Sequence, residues 1–425
     1  MPAPERRSRW DWIAGSLLVV AVVVVAATLW WHSDARHTTV STAIEPPAEQ
    51  VGGGERLPSA VAEIWRAPSS ATSLPLVEGG TVVTAAAGEV AGRELGSGSI
   101  RWSYQRDLAL CTVGAALHRV VALYQRGETC SEVSTLNWAD GTRGPQRTGP
   151  VEVPTRLTAD GDFAAATGQR YLEVWRPDLV RTLAYGRLPT PVQPGKQPRP
   201  DCTHGSLALN SSVGSGGVES GEAVPGEAVE SGPRLALVEH CPDENQVRLT
   251  VQRAQPKESD QPEMDFSTLL PGAVARIVAL SPDRVAVALP GPPRLLVFDA
   301  RGNQVAEHPL AIPDTDLHGD PPGGLSVTTH TPIGVFWFTG SATVALDVGE
   351  LRPRWTRPGS LGAGSMVAGR LLLPVPEALA VLDIASGEQI ARLPVDRGGY
   401  VGPVSTASAG AFVLEQRGDT LVALG

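Results

Sequence analysis

The sequence predicts an all-β fold, a β-propeller of eight blades with seven as the alternative count, preceded by a single transmembrane helix. Three observations carry this: one uncharged apolar run near the start, a degenerate strand–turn–strand repeat, and two chain ends that complete each other. The chain has 425 residues, and its 46 glycines and 37 prolines are scattered as punctuation, not concentrated in one segment. Hydrophobic residues at 42% suffice for a folded core over most of that length.

The run from Ile13 to Trp31, IAGSLLVVAVVVVAATLWW, has neither charge nor proline. As a helix it would extend about 28 Å, close to the hydrocarbon thickness of a bilayer. Trp10 and Trp12 flank one end and Trp30 and Trp31 the other, where indoles favour the interface. Arg6, Arg7 and Arg9 precede the run, so residues 1–12 are expected in the cytoplasm and everything after Trp31 outside. A cleaved signal peptide is the competing reading. Its apolar core would be shorter, and the candidate cleavage site Ser33-Asp34-Ala35 lies behind two tryptophans.

The net charge is −10, and residues 1–31 carry +1, which leaves −11 on the rest. An acidic domain repels phosphate backbones, so nucleic acid is not an expected partner. Residues 32–57 are polar and aperiodic and predict a flexible linker, with the propeller over 58–425. Within it, residues 210–232 (NSSVGSGGVESGEAVPGEAVESG) read as a disordered acidic Gly/Ser-rich loop inserted in one repeat.

The repeat is clearest at Leu379–Leu393, LAVLDIASGEQIARL, where an alternating strand meets a tight Ser-Gly turn and a second strand. Arg294–Pro309 and Val133–Arg147 repeat it, and weaker copies start at Val90, Tyr171, Thr343 and Val247. The turns recur at a spacing that fits one four-stranded blade per unit. Asx-Gly and Ser-Gly supply the positive φ of tight hairpins. The chain finishes with Ala411–Gly425, one strand short of a blade, while a lone strand, Ala62–Pro68, precedes the repeats. Pairing Ile64 and Trp65 with Leu421 and Val422 would close the ring and cover a sheet edge.

An exported domain meets an oxidising compartment, so its four cysteines are expected to pair. Cys111 opens a strand and Cys130 lies just past the end of the next, Arg119–Gln125, neighbouring places in a hairpin; Cys202, before one strand run, and Cys241, ending the next, repeat the arrangement. The pairs 111–130 and 202–241 follow. A zinc site from Cys202, His204, His240 and Cys241 is the alternative, without the usual C-x₂₋₄-C spacing.

The LD-x-x-[ST]-G-x-x-x-W style of repeat resembles the pyrroloquinoline-quinone-type propellers, quinoprotein dehydrogenases among them. ERRSRWDWIAG (5–15), RWSYQRDLALC (101–111), LEVWRPDLVRTLAYG (172–186) and VLEQRGDTLVALG (413–425) are similar to an actinobacterial family of membrane-anchored propellers of that label. The resemblance implies topology and fold and no particular activity. A quinone enzyme would need calcium-binding oxygen ligands and often adjacent cysteines; no two cysteines are adjacent here. Asp140, Asp283, Asp299, Asp347 and Asp383 read as turn formers, and neither G-x-S-x-G nor H-E-x-x-H occurs. His118, His308 and His330 are expected in loops, and Trp102, Trp138, Trp175, Trp337 and Trp355 between blades.

No catalytic, metal or cofactor residue is therefore assigned. The expected function is a non-enzymatic protein-interaction scaffold or accessory factor in cell-envelope assembly, with envelope or membrane proteins as partners. The alternative is a receptor or carrier for a small lipid or glycan, and a quinone-dependent dehydrogenase stands third. An apolar channel would favour the carrier; an apolar patch on one loop face would favour the scaffold.

Overall fold

The computed structural model describes residues 8–31, 33, 36–45, 57–189, 196–212, 232–319, 321 and 324–425. The insert predicted at 210–232 therefore lies mostly outside the described residues. Eight antiparallel sheets follow one another along the chain, spanning residues 76–106, 110–148, 156–186, 203–269, 276–309, 327–358, 365–394 and 404–424. Each is a meander of four strands except the last, which has three of its own. Its fourth strand is Glu63–Pro68, from before the first blade, paired antiparallel with Thr420–Leu424. The molecule is an eight-bladed β-propeller whose ring is closed by its own N-terminal strand.

Among the described residues a single α-helix, Arg9–Trp31, precedes the blades and is long and apolar enough to cross a membrane. It starts four residues before the apolar run, because Ser8 and Asp11 bond each other's backbone N–H groups at its first turn.

One expectation needs correction. Residues 32–57 are not wholly a linker: Thr38–Ser41 forms a strand that pairs antiparallel with the outer strand of blade 1, Ile100–Arg106. Its Thr-Thr-Val-Ser sequence is rich in β-branched residues, and the outer edge of blade 1 offers unpaired backbone groups. His308 and His330 also differ from expectation, lying on the strands Gln304–Pro309 and Val327–Thr331. Short hairpins leave few loop positions, and a polar residue is tolerated on an outer strand or a channel wall.

The core is divided among the blade interfaces. Buried residues cluster in groups that each bridge two neighbouring sheets, such as Trp102, Tyr104 and Val90 of blade 1 with Val120, Ala122 and Tyr124 of blade 2. Phe336, Trp337 and Phe338 are all buried in this way, Phe336 toward blade 7 and Trp337 toward blade 5.

Fourth strands share one device. In blades 1, 4, 6 and 8 the residue just past a register bulge is Trp102, Phe266, Trp355 and Trp65 respectively. Each ring packs on a positive-φ glycine in the next blade's outer turn: Gly141, Gly302, Gly387 and Gly98. The three indoles also donate Nε1–H to a backbone carbonyl there, Trp138 at 2.9 Å, Ile384 at 3.0 Å and Leu95 at 2.8 Å.

Three of the four interfaces without this device use buried ion pairs, and the one between blades 5 and 6 is apolar. Arg147 of blade 2 bonds Glu173 of blade 3 at 2.8 and 3.0 Å. Arg199, before blade 4, bonds Glu239 at 3.2 Å, and Tyr185 of blade 3 donates to the same carboxylate at 2.6 Å. Arg397, just before blade 8, bonds Glu415 at 2.7 and 3.0 Å while holding the Val375 and Ala378 carbonyls of blade 7. All three carboxylates are fully buried, and each is satisfied by several donors, which offsets desolvation.

Candidate functional site

The eight first strands line a central channel and all run the same way, so their starts lie on one face of the disc. Around the starts is a cavity of about 800 Å³. Its wall includes Thr112, Arg156, Thr203, His204, Ser405 and Gln416 from strands, with Thr72 and Asp419 from loops. A second cavity of about 690 Å³ continues along the later residues of the same strands and shares Ser73 and Thr112 with the first. Its wall includes Leu74, Leu157 and Leu325, only partly covered, beside the polar Asp160, Asn210 and His330.

Arg156 shapes the mouth. Its guanidinium bonds the carbonyls of His204 at 2.7 Å and Gly205 at 2.6 Å in blade 4, and reaches Gly324 at 3.4 Å in the connection to blade 6. That connection thus crosses toward blade 3, and Gly324 is needed because a side chain there would strike the arginine stem at 2.6 Å.

His204 is buried at 5% exposure and stacks on Tyr185, with ring centroids 5.8 Å apart. Its Nδ1 meets Thr167 Oγ1 at 3.2 Å, and its Nε2 has no partner among the described residues. Burial and, secondarily, the Arg156 charge push its pKa down to about 3, so the ring is neutral. Burial also lowers His330, against a smaller opposing pull from Asp160. Glu173 is held below its ordinary value: burial alone would raise it, but donors from Arg147, Tyr171 and Trp175 outweigh that.

Disulfides join Cys111 to Cys130 and Cys202 to Cys241. Cys130 sits on the third strand of blade 2, Thr129–Leu136, so the first bridge passes from first strand to third, not across one hairpin. The second ties the residue before the first strand of blade 4 to the residue after the second. With all four cysteines bonded, His204 and His240 have no thiolate partners for zinc. At the closure, Ala67 pairs with Leu421 and Arg66 with Val422. Trp65 packs on Gly98, while Ile64 lies at the bulge, half exposed against the chain end.

The turn aspartates are engaged locally. Asp140 accepts from Thr142 N–H, Asp299 from Arg301 and Asn303, Asp347 from Glu350 and Arg352, and Asp383 from Ala385 and Ser386. Asp283 accepts from the Ser281 hydroxyl. Sequence reasoning missed Arg156 and the leucines of the channel, and offered His204 only as a zinc ligand, because which residues meet there depends on strand register.

This architecture defines the class: an eight-bladed β-propeller behind one apolar N-terminal helix. No family model matches the sequence, and no curated protein matches it. Among solved structures the chain is similar to BamB from Moraxella catarrhalis, at 11% identity over 86% of this chain and 99% of that one, with a TM-score of 0.40. It is also similar to Sqt1 from Saccharomyces cerevisiae, at 11% identity over 81% and 80%, with a TM-score of 0.42. The blade count rests on the sheet topology of the chain itself.

Proposed function

We propose that this protein is a non-enzymatic interaction scaffold, held by its N-terminal helix on the outer side of the cell membrane, and an accessory factor in envelope assembly. We place it with the membrane-anchored actinobacterial propellers of quinone-repeat type that its motifs resemble. The observation that carries the scaffold reading is the closed ring with every described interface pinned by packing, indole–carbonyl bonds or buried ion pairs. Such a ring holds its loops in fixed positions, and pre-organised loops lose little entropy when a partner docks. Both disulfides fit an oxidising, extracytoplasmic setting. The turn aspartates that a quinone–calcium site would recruit already accept hydrogen bonds in their own turns.

The test is in-membrane crosslinking of C-terminally tagged protein, solubilisation, a moderate-salt wash and mass spectrometry of what remains. A small set of envelope proteins at near-stoichiometric amount supports the scaffold. Retention of a defined lipid or glycan without protein overturns it in favour of a carrier. That second reading has one observation behind it, the partly covered Leu74, Leu157 and Leu325 in the inner cavity.

A further inference from the structure

The proposal concerns how the disc is presented to the membrane, and it rests on the helix being a retained anchor. The strand Thr38–Ser41 pairs in register with blade 1: Thr38 opposite Arg106, Thr39 opposite Gln105, Val40 opposite Tyr104 and Ser41 opposite Ser103. It is fastened at both ends. Asp107 N–H donates to the His37 carbonyl at 3.2 Å and the His37 ring meets the Asp107 carboxylate at 2.9 Å. Beyond the strand, Ala43 N–H donates to the Asp140 carbonyl at 3.0 Å, and Arg101 donates to the Glu45 carbonyl at 2.6 Å.

The direction of this pairing matters. Arg106 ends the outer strand of blade 1, and four residues later the first strand of blade 2 begins at Leu110. Thr38 therefore lies on the face where first strands begin, the face on which the larger cavity opens. The helix ends at Trp31. Seven Cα steps link it to Thr38, a reach of at most about 25 Å. Arg36 shortens it further by stacking on the Trp31 ring at 3.8 Å. Without the strand, the next residue packed on the blades would be Leu57, and the tether would have a contour of about 90 Å.

We infer that Thr38–Ser41 is a strap that holds the rim of blade 1, on the face where the first strands begin, beside the bilayer surface. Blade 5, across the channel, is carried away from the lipid, and its outer turn at Arg301-Gly302 on the opposite face is the part most open to partners. The disc is thus presented in one attitude instead of tumbling on a leash.

Both native disulfides leave no free thiol, so single cysteines can be labelled selectively. Full-length Ala109→Cys (blade 1–2 loop) and Gln304→Cys (just past the blade 5 turn) would each carry a donor dye in nanodiscs of phosphatidylcholine and phosphatidylglycerol with a lipid-borne acceptor. We expect severalfold higher transfer from position 109, and collapse of the difference when Thr39→Pro and Ser41→Pro remove ladder donors from the strap. Equal transfer from both positions in an intact, membrane-bound chain overturns the strap alone. Recovery from native membranes of a mature chain cleaved before Thr38 overturns the anchor reading together with it.

Discussion

The ring of Trp102 packs so closely on Gly141 that a β-carbon on that glycine would stand 2.7 Å from Cγ and Cδ2 of the indole. The same indole bonds the Trp138 carbonyl, three residues earlier in the same turn. The side chain of blade 1 is therefore seated in a socket made of blade 2 backbone, and the glycine serves two purposes. It leaves room for the ring, and it adopts a φ of +74° without strain.

Gly141→Ala should accordingly destabilise the ring by about 2–3 kcal/mol, from overpacking and left-handed strain together. Gly349→Ala is the control. It lies in the equivalent turn of blade 6, where an added β-carbon meets nothing nearer than 4.0 Å. Denaturant unfolding followed by tryptophan fluorescence compares the two. Equal losses would mean that the socket contributes nothing specific.

Where the aromatic is missing, the glycine is missing as well. Past the bulge in blade 5 stands Ala306, and the facing turn of blade 6 has Leu351 at a φ of +56°, buried in the same cluster. The leucine fills space that an indole fills elsewhere. Ala306→Trp alone should cost a few kcal/mol through overpacking, and Leu351→Gly alone a similar amount through a cavity. The double variant should lose clearly less than the sum of the two. Strict additivity would show that the two positions do not share one socket.

This exchange also explains what could be read from the sequence. Turns such as Ser386-Gly387 and Arg301-Gly302 advertise blades because glycine and an aromatic recur at fixed offsets. Blades 3 and 6 turn at Leu179 and Leu351 instead, both at positive φ, so their copies of the repeat look weak. The closure by Glu63–Pro68 could be read because a lone strand and an incomplete blade are each unstable alone. The strap could not. Thr38–Ser41 is four polar or β-branched residues whose strand character comes only from the edge it meets. The channel was equally hidden: Arg156 and His204 lie 48 residues apart and are joined by inter-blade register.

Trp65→Ala tests the closure. The indole bonds the Leu95 carbonyl at 2.8 Å and packs on Gly98, so it ties the outer strand of blade 8 to the outer turn of blade 1. Loss of a large, partly buried aromatic should cost about 3 kcal/mol. It should also raise hydrogen exchange first in Glu63–Pro68 and Thr420–Leu424. Uniform exchange across all blades would contradict a local latch.

Replacing Cys111 and Cys130 by serine should lower stability by roughly 3 kcal/mol, and replacing Cys202 and Cys241 by slightly more, following the lengths of the closed loops. The sequence separations are 19 and 39 residues. Chemical denaturation with and without reductant reads both effects. A wild type indifferent to reductant would show that neither bridge supports the fold.

His204 should make the propeller acid-sensitive well above the range where carboxylates titrate. Its folded-state pKa is depressed to about 3, while an unfolded histidine protonates near pH 6.5. Below that value the unfolded chain binds a proton that the folded chain refuses. Stability is thus fully present above about pH 6.5 and falls as pH drops, by up to about 1.4 kcal/mol per unit. His330 shifts the same way, but its surface is open to the channel, so its share is smaller. His204→Gln keeps a polar group beside Thr167 and removes the titration. Unfolding free energy measured between pH 6.5 and 5 should slope less steeply in this variant than in the wild type. Parallel slopes would mean that His204 is not the neutral, buried group its surroundings describe.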